Sequence, residues 1–65
     1  MTLRDELMKL LSDTALESVA EARTLAEAAD LVSDPDVRGA LLRLRTQAMG
    51  RAVSMRASAR KIEAA

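Results

Sequence analysis

The sequence predicts an all-α fold: an antiparallel helical hairpin, with helices at about residues 3–32 and 35–64, that self-associates into a four-helix bundle. Three observations support this prediction. The single proline, Pro35, lies in a short link near the middle of the 65-residue chain. The arms on either side of the link have equal lengths. Each arm carries apolar residues at the seven-residue repeat of helices that pack side by side. We expect residues 1–65 to form one domain.

The first helix has a start signal at Thr2, whose hydroxyl can cap free amides, with Asp5 three residues later completing a weak capping box. A second start signal follows, because Thr14 stands three residues before Glu17. The first helix therefore either runs through this point or breaks there, leaving residues 3–11 as a separate short helix. Continuity is favoured because two arms of equal length can then pair along their full length.

The link around Pro35 contains both a helix stop and a helix start. Ser33 or Asp34 can cap the second helix, and Pro35 then takes the first helical position, where its missing N–H costs nothing. Asp36 lies in the first turn, where its charge favours the positive end of the helix dipole. Pro35 also disfavours helical backbone at Asp34, so the first helix must end before it. A link this short predicts antiparallel neighbouring helices.

Both helices carry a stripe of apolar residues in which alanine recurs about once per heptad. In the second helix the stripe meets Arg51, flanked by Ala52, and Ser58, flanked by Ala59. Gly50 marks either a close helix crossing or a tolerated substitution. The predicted self- or partner-interface consists of Met8, Leu11, Ala15, Val19, Ala22, Leu25, Ala29, Val32, Val37, Leu41, Leu44, Ala48, Ala52, Met55, Ala59 and Ile62.

A second apolar row widens each stripe beyond what two helices can bury against one another. A domain of this size has a small core, and the chain contains no cysteine that could staple it. The surplus apolar surface therefore predicts a further layer, which a second copy of the hairpin would supply. The second row consists of Leu3, Leu7, Leu10, Leu16, Val19 and Ala26 in the first helix and Leu42, Met49 and Val53 in the second.

The charges are divided between the two halves, although the net charge is zero. Residues 1–36 hold nine acidic and three basic residues, and residues 37–65 hold one acidic and seven basic residues. This division favours antiparallel pairing of an acidic with a basic helix. It also leaves a rival hypothesis of a nucleic-acid-binding regulator, against which stand the absence of aromatic residues for base stacking and the neighbouring acidic helix. The candidate polyanion-binding residues are Arg43, Arg45, Arg51, Arg56 and Arg60.

The sequence contains little equipment for catalysis. It has no histidine to activate a serine and no cysteine, and no glycine-rich loop for phosphate. Glu17 and Glu21 lie one helical turn apart, which leaves a carboxylate metal site as a further alternative to a solvated helical face. We expect no enzymatic activity, no cofactor, and no catalytic or metal-ligating residue.

Residues 26–55, AEAADLVSDPDVRGALLRLRTQAMGRAVSM, resemble the helix–turn–helix of ferritin-like and rubrerythrin-like proteins. There, an alanine-rich helix ends in a short turn of DPxVR type and an LxxL helix follows. The resemblance implies a two-helix half of a ferritin-like bundle that dimerisation completes. In that family the second helix carries Glu-x-x-His for a di-iron site, whereas residues 47–51 here contain neither Glu nor His, so no ligand is carried over.

These observations together predict a non-catalytic protein–protein interaction module, such as a small adaptor, co-chaperone or accessory subunit. Its partner would be a second copy, as a dimer or tetramer, or another helical protein. The sequence contains no apolar stretch of membrane-spanning length and no signal-peptide pattern at its start. We therefore expect a cytoplasmic protein without membrane contact, and the alanine- and arginine-rich composition suggests a bacterial source.

Overall fold

The chain folds as a helical hairpin in the computed structural model, which describes residues 2–64. These residues form two helices, α1 (Leu3–Leu31) and α2 (Pro35–Ala64), of 29 and 30 residues. The hairpin measures 49 × 17 × 10 Å. Its smallest dimension is the thickness of one layer of helices. The predicted all-α hairpin is confirmed, while its self-association stays a prediction.

The start of α1 is fixed by a reciprocal pair of hydrogen bonds. Thr2 has extended backbone angles, and its hydroxyl accepts a hydrogen bond from the amide of Asp5 at 3.2 Å. The Asp5 carboxylate in turn accepts from the amide of Thr2 at 3.4 Å. This is the capping box that the sequence predicts, and it occupies amides that would otherwise lack a partner.

Helix α1 runs without a break past the second start signal. The Thr14 hydroxyl donates a hydrogen bond to the carbonyl of Leu10, four residues earlier, at 2.8 Å. A threonine within a helix commonly makes this bond, whereas a capping threonine would accept from an amide ahead of it. The Thr14–Glu17 pattern therefore does not start a new helix, and the favoured continuous helix is confirmed.

The link between the helices turns on Asp34. Its side-chain oxygen accepts hydrogen bonds from the amides of Asp36 and Val37, at 2.9 and 3.2 Å. Helix α1 ends at Leu31, one residue earlier than predicted, because Val32 is already extended while its amide still bonds to the carbonyl of Ala29. Asp34 thus starts α2 within three residues of the end of α1, as its position before Pro35 predicts.

Small side chains line the contact between the helices. The buried residues within 2–64 are six alanines and one serine, which we call the seam: Ala15, Ser18, Ala22, Ala29, Ala48, Ala52 and Ala59. Larger apolar residues on the same stripes, such as Leu11 and Met55, are only half-buried. Small residues at the centre of a helix contact let the two backbones approach closely, so the larger neighbours stand at the edges of the contact.

The phase of the α2 stripe is decided by Ala52 and Ala59. Both are buried, whereas Arg51 and Ser58 beside them are exposed. Residues seven apart share a face, so Leu44 lies with Arg51 and is 48% exposed. The burial of Ala52 and Ala59 therefore fixes a phase that leaves Leu44 exposed and places Arg45 in the seam column.

Ion pairs and a charged hydrogen bond connect the acidic helix to the basic one. Arg51 Nη2 lies 2.6 Å from Glu21 Oε2, and Arg38 Nη2 lies 3.9 Å from Asp30 Oδ1. At the open end of the hairpin the Arg4 guanidinium donates to the backbone carbonyl of Glu63. These groups are largely exposed, so each contributes little energy, but together they favour the antiparallel arrangement.

Gly50 is exposed, and a Cβ added there would meet no described atom within 4 Å. It therefore marks no close crossing within the hairpin. Over residues 2–64, neither helix carries a stretch long and apolar enough to cross a membrane.

Candidate functional site

The largest apolar side chains of this protein lie outside its core. Leu31 is 88% exposed and Leu3 is 73% exposed, whereas Ala48 in the seam is 0% exposed. The exposed apolar residues fall on both sides of the seam, because they belong to different heptad columns of the two helices. The hairpin is therefore one layer of helices with an apolar surface on each side.

One side carries leucines near its two ends, and we call it the leucine face. Leu3, Leu7 and Leu10 lie near the open end, with spacings of four and three residues that keep them on the same side of α1. The Glu21–Arg51 ion pair lies on this side between the two ends. The leucine face consists of Leu3, Leu7, Leu10, Leu31, Val37 and Leu44, all exposed.

The opposite side combines apolar residues with arginines, and we call it the arginine face. A groove of about 260 Å³ opens there between the helices, lined by Val19, Ala22, Arg23, Ala26, Arg45 and Met49. Leu16, Leu42 and Val53 extend the apolar surface beyond the groove by their helical spacing from Val19 and Met49. These nine residues define the arginine face.

Arg45 interrupts the seam of α2. It lies seven residues before Ala52, in the column that Ala52 and Ala59 continue as buried residues. An arginine at such a position cannot be buried, so its side chain extends out of the contact and leaves space beside Ala22 and Ala26. Among the described residues no carboxylate forms an ion pair with Arg45 or Arg23, in contrast to Arg38 and Arg51.

The predicted interface residues divide according to their burial. Most contribute to contact within the hairpin, and two face solvent. Ala15, Ala22, Ala29, Ala48, Ala52 and Ala59 are buried; Met8, Leu11, Val19, Leu25, Val32, Leu41, Met55 and Ile62 are half-buried; Val37 and Leu44 are exposed. The surface available to another chain is thus mainly the second apolar row. Leu31 was in neither predicted set, although it lies three heptads after Leu10 on the same column.

The five candidate polyanion-binding arginines do not share one face. Arg51 lies on the leucine-face side and is paired with Glu21. Arg45, Arg56 and Arg60 lie towards the arginine face. Arg43 lies on the outer side of α2, where its guanidinium would be 3.5 Å from a Cβ added to Gly39.

The described part of the chain contains no group of three or more Asp, Glu, His or Cys side chains that could hold a metal ion. No family model matches the sequence, and comparison with curated proteins and with solved structures found no similar chain.

Proposed function

We propose that this chain is a non-catalytic protein–protein interaction module, which self-associates through its leucine face into a four-helix bundle. The observation that carries the proposal is the inverted placement of its apolar side chains: alanine fills the seam and leucine covers the outside. A second copy packed on the leucine face would supply the missing layer, since stable domains bury their apolar faces between at least two layers.

The surface area supports the same proposal. The hairpin exposes 4951 Å², whereas a folded monomer of its 7.0 kDa mass would expose only about 4,000 Å². The difference, roughly 900 Å², is close to the roughly 800 Å² that each partner buries in a protein–protein interface of standard size. One interface of ordinary dimensions would therefore bring the exposed area per chain to that of a compact protein.

Charge favours a particular arrangement of the two copies. Helix α1 holds seven acidic and three basic residues, a net charge of −4, and α2 holds two acidic and seven basic residues, a net charge of +5. If each α1 faces the second copy's α2, the acidic and basic helices alternate around the bundle. Like-with-like contact would instead oppose charges of the same sign.

The test is the molar mass by light scattering over a dilution series, with far-UV circular dichroism on the same samples. We expect a dimer or tetramer that loses helix content as it dissociates, because the alanine seam alone buries little apolar area. The double variant Leu10→Glu/Leu44→Glu places two charges on the leucine face and should give monomers at concentrations at which the parent is associated.

A matched control is the double variant Leu16→Glu/Leu42→Glu. Leu16 is 63% exposed and Leu10 is 61% exposed, while Leu42 and Leu44 are 39% and 48% exposed. The control thus places the same charges on residues of similar exposure, but on the arginine face, and it should associate as the parent does. A parent that is monomeric and fully helical at all concentrations would reject self-association.

A further inference from the structure

We propose that the arginine face is a docking site for an acidic amphipathic helix of another protein, with the groove between Arg23 and Arg45 as its anchor point. The site lies within a single hairpin and on the side opposite the leucine face, so self-association through the leucine face would leave it open. Its occupant would place an aliphatic side chain on Val19, Ala22, Ala26 and Met49, and carboxylates beside the two guanidinium groups.

The size of the groove favours a side chain over a free small molecule. Its volume of about 260 Å³ is below the range of roughly 300–1,000 Å³ that is usual for small-molecule and cofactor pockets. The groove is also open to solvent along the hairpin. A shallow apolar groove between helices is the usual receptor for a partner helix, which inserts residues at spacings of three and four.

Arg45 is the residue that makes the groove. At its seam position an apolar residue would fill the space beside Ala22 and strengthen the contact between the helices. The sequence instead places a guanidinium there, with no carboxylate partner among residues 2–64. Local violations of the packing rule that lack compensation within the chain are expected at binding sites. Since arginine binds carboxylates in a bidentate geometry, an acidic side chain of a partner would pair with it.

Charge disfavours a symmetric contact between the arginine faces of two copies. Arg23 and Arg45 flank the groove, and Arg56 follows on the same side of α2 at the helical spacing from Met49. A symmetric contact between two arginine faces would bring these like charges together. A polynucleotide is less suited, because the surface between the arginines is aliphatic and the sequence contains no aromatic side chain to stack on bases.

The experiment is a titration of the isotope-labelled full chain, followed by amide NMR shifts. The probe is a synthetic helical peptide of about 18 residues, a length sufficient for a stable helix. It carries leucines at spacings of three and four residues, flanked by glutamates. We expect shifts at Val19, Arg23, Ala26, Arg45 and Met49, without shifts at Leu7 or Leu44. The same peptide with lysine in place of every glutamate should bind at least roughly tenfold more weakly.

Two variants separate docking from folding. Arg45→Leu should fill the groove, raise the midpoint of urea unfolding, and weaken binding of the acidic peptide at least roughly tenfold, which is the order expected when a buried ionic contact and its cavity are both lost. Arg43→Leu removes the same charge from the outer side of α2 and should leave both quantities unchanged. Greater stability with lost binding would show that Arg45 serves a partner and not the hairpin.

Several outcomes would overturn the proposal. These are the absence of shifts at millimolar peptide, shifts confined to the leucine face, equal binding of the acidic and basic peptides, or unchanged binding by Arg45→Leu. Stronger binding of a short DNA duplex, or of anionic phospholipid vesicles, to the same residues would assign the face to a polyanion or a membrane surface instead. At a protein concentration where the Leu10→Glu/Leu44→Glu variant keeps the helix content of the parent, it should still bind the peptide.

Discussion

The seam is built mainly from alanine, the smallest apolar side chain, whereas the two faces beside it carry large apolar side chains such as leucine. Ala15, Ala22 and Ala48 are each at most 2% exposed, whereas Leu16 on the arginine face and Leu10 on the leucine face are more than 60% exposed. The leucines on the two faces therefore gain little from folding of a single hairpin. The seam fixes how closely and in what register the helices pair, while the faces hold most of the apolar area that remains to be buried.

This difference indicates that one set of residues determines how α1 pairs with α2, and another determines how stable the hairpin is. Alanine gives close approach but little transfer energy, since each buried methyl group contributes only about 0.8 kcal/mol. A seam of this kind selects one geometry and needs contacts elsewhere to hold it. The predictions that follow test this division, and all of them require a fixed protein concentration because stability is expected to depend on association.

The largest expected effect comes from enlarging the seam. Ala48 is fully buried, so Ala48→Leu should lower the free energy of unfolding by about 1–3 kcal/mol, because the helices must separate to admit the larger side chain. Ala22→Leu should act alike. The measurement is urea unfolding followed by far-UV circular dichroism, and Ala57→Leu, at an exposed position of the same helix, is the control. Equal stability of the Ala48 and Ala57 variants would mean that the seam is not tightly packed.

A glycine–alanine exchange at two nearby positions should give effects of opposite sign. Ala52→Gly removes a methyl group that is 1% exposed and lowers helix propensity, at a total cost of about 1–2 kcal/mol. Gly50→Ala adds a methyl group in open space and should raise the free energy of unfolding by about 0.5–1 kcal/mol. Thermal unfolding of both variants measures the difference. A destabilising Gly50→Ala would place Gly50 at a close contact between chains in the assembly.

The smallest expected effect is that of the ion pair at the edge of the seam. A double-mutant cycle with Glu21→Ala and Arg51→Ala should give a coupling of about 0.2–1 kcal/mol, because both groups are about half exposed. The coupling should shrink in high salt. The matched cycle on Glu27 and Arg43, which face outwards on the two helices, should give no coupling. A coupling as large as the effect of Ala48→Leu would mean that charge, and not side-chain size, fixes the pairing.

The hairpin itself could be predicted from the sequence because its signals are local. Thr2 with Asp5, and Asp34 with Pro35, act within one helical turn, so their residue types are sufficient to place the helix ends. The spacing of Thr14 to Glu17 could not show whether Thr14 caps a new helix or lies within α1. Its hydroxyl can either accept from an amide ahead of it or donate to a carbonyl behind it, and the observed bond to the Leu10 carbonyl is compatible with an unbroken helix.

The candidate site was harder to predict, since it depends on the phase of α2. Leu44 and Arg45 both satisfy a stripe that passes through Leu41 and Ala48, and only the burial of Ala52 and Ala59 seven and fourteen residues after Arg45 decides between them. That choice places an arginine in the seam, opens the groove and exposes Leu44. The spacing of the alanines indicates the same phase, because Leu44 shares its heptad column with Arg51 and Ser58.

The Asp34 turn also has a consequence for how the chain folds. It joins two helices that touch only one another, so the residues nearest the turn meet across the shortest loop, and each further pair towards Thr2 and Ala64 closes a longer one. If the turn closes first, each later pair forms with only a small additional loss of chain entropy, so pairing proceeds from the turn towards the open end. The open end, where Leu3, Leu7 and Leu10 lie, is then the last part of the hairpin to close and the first to fray.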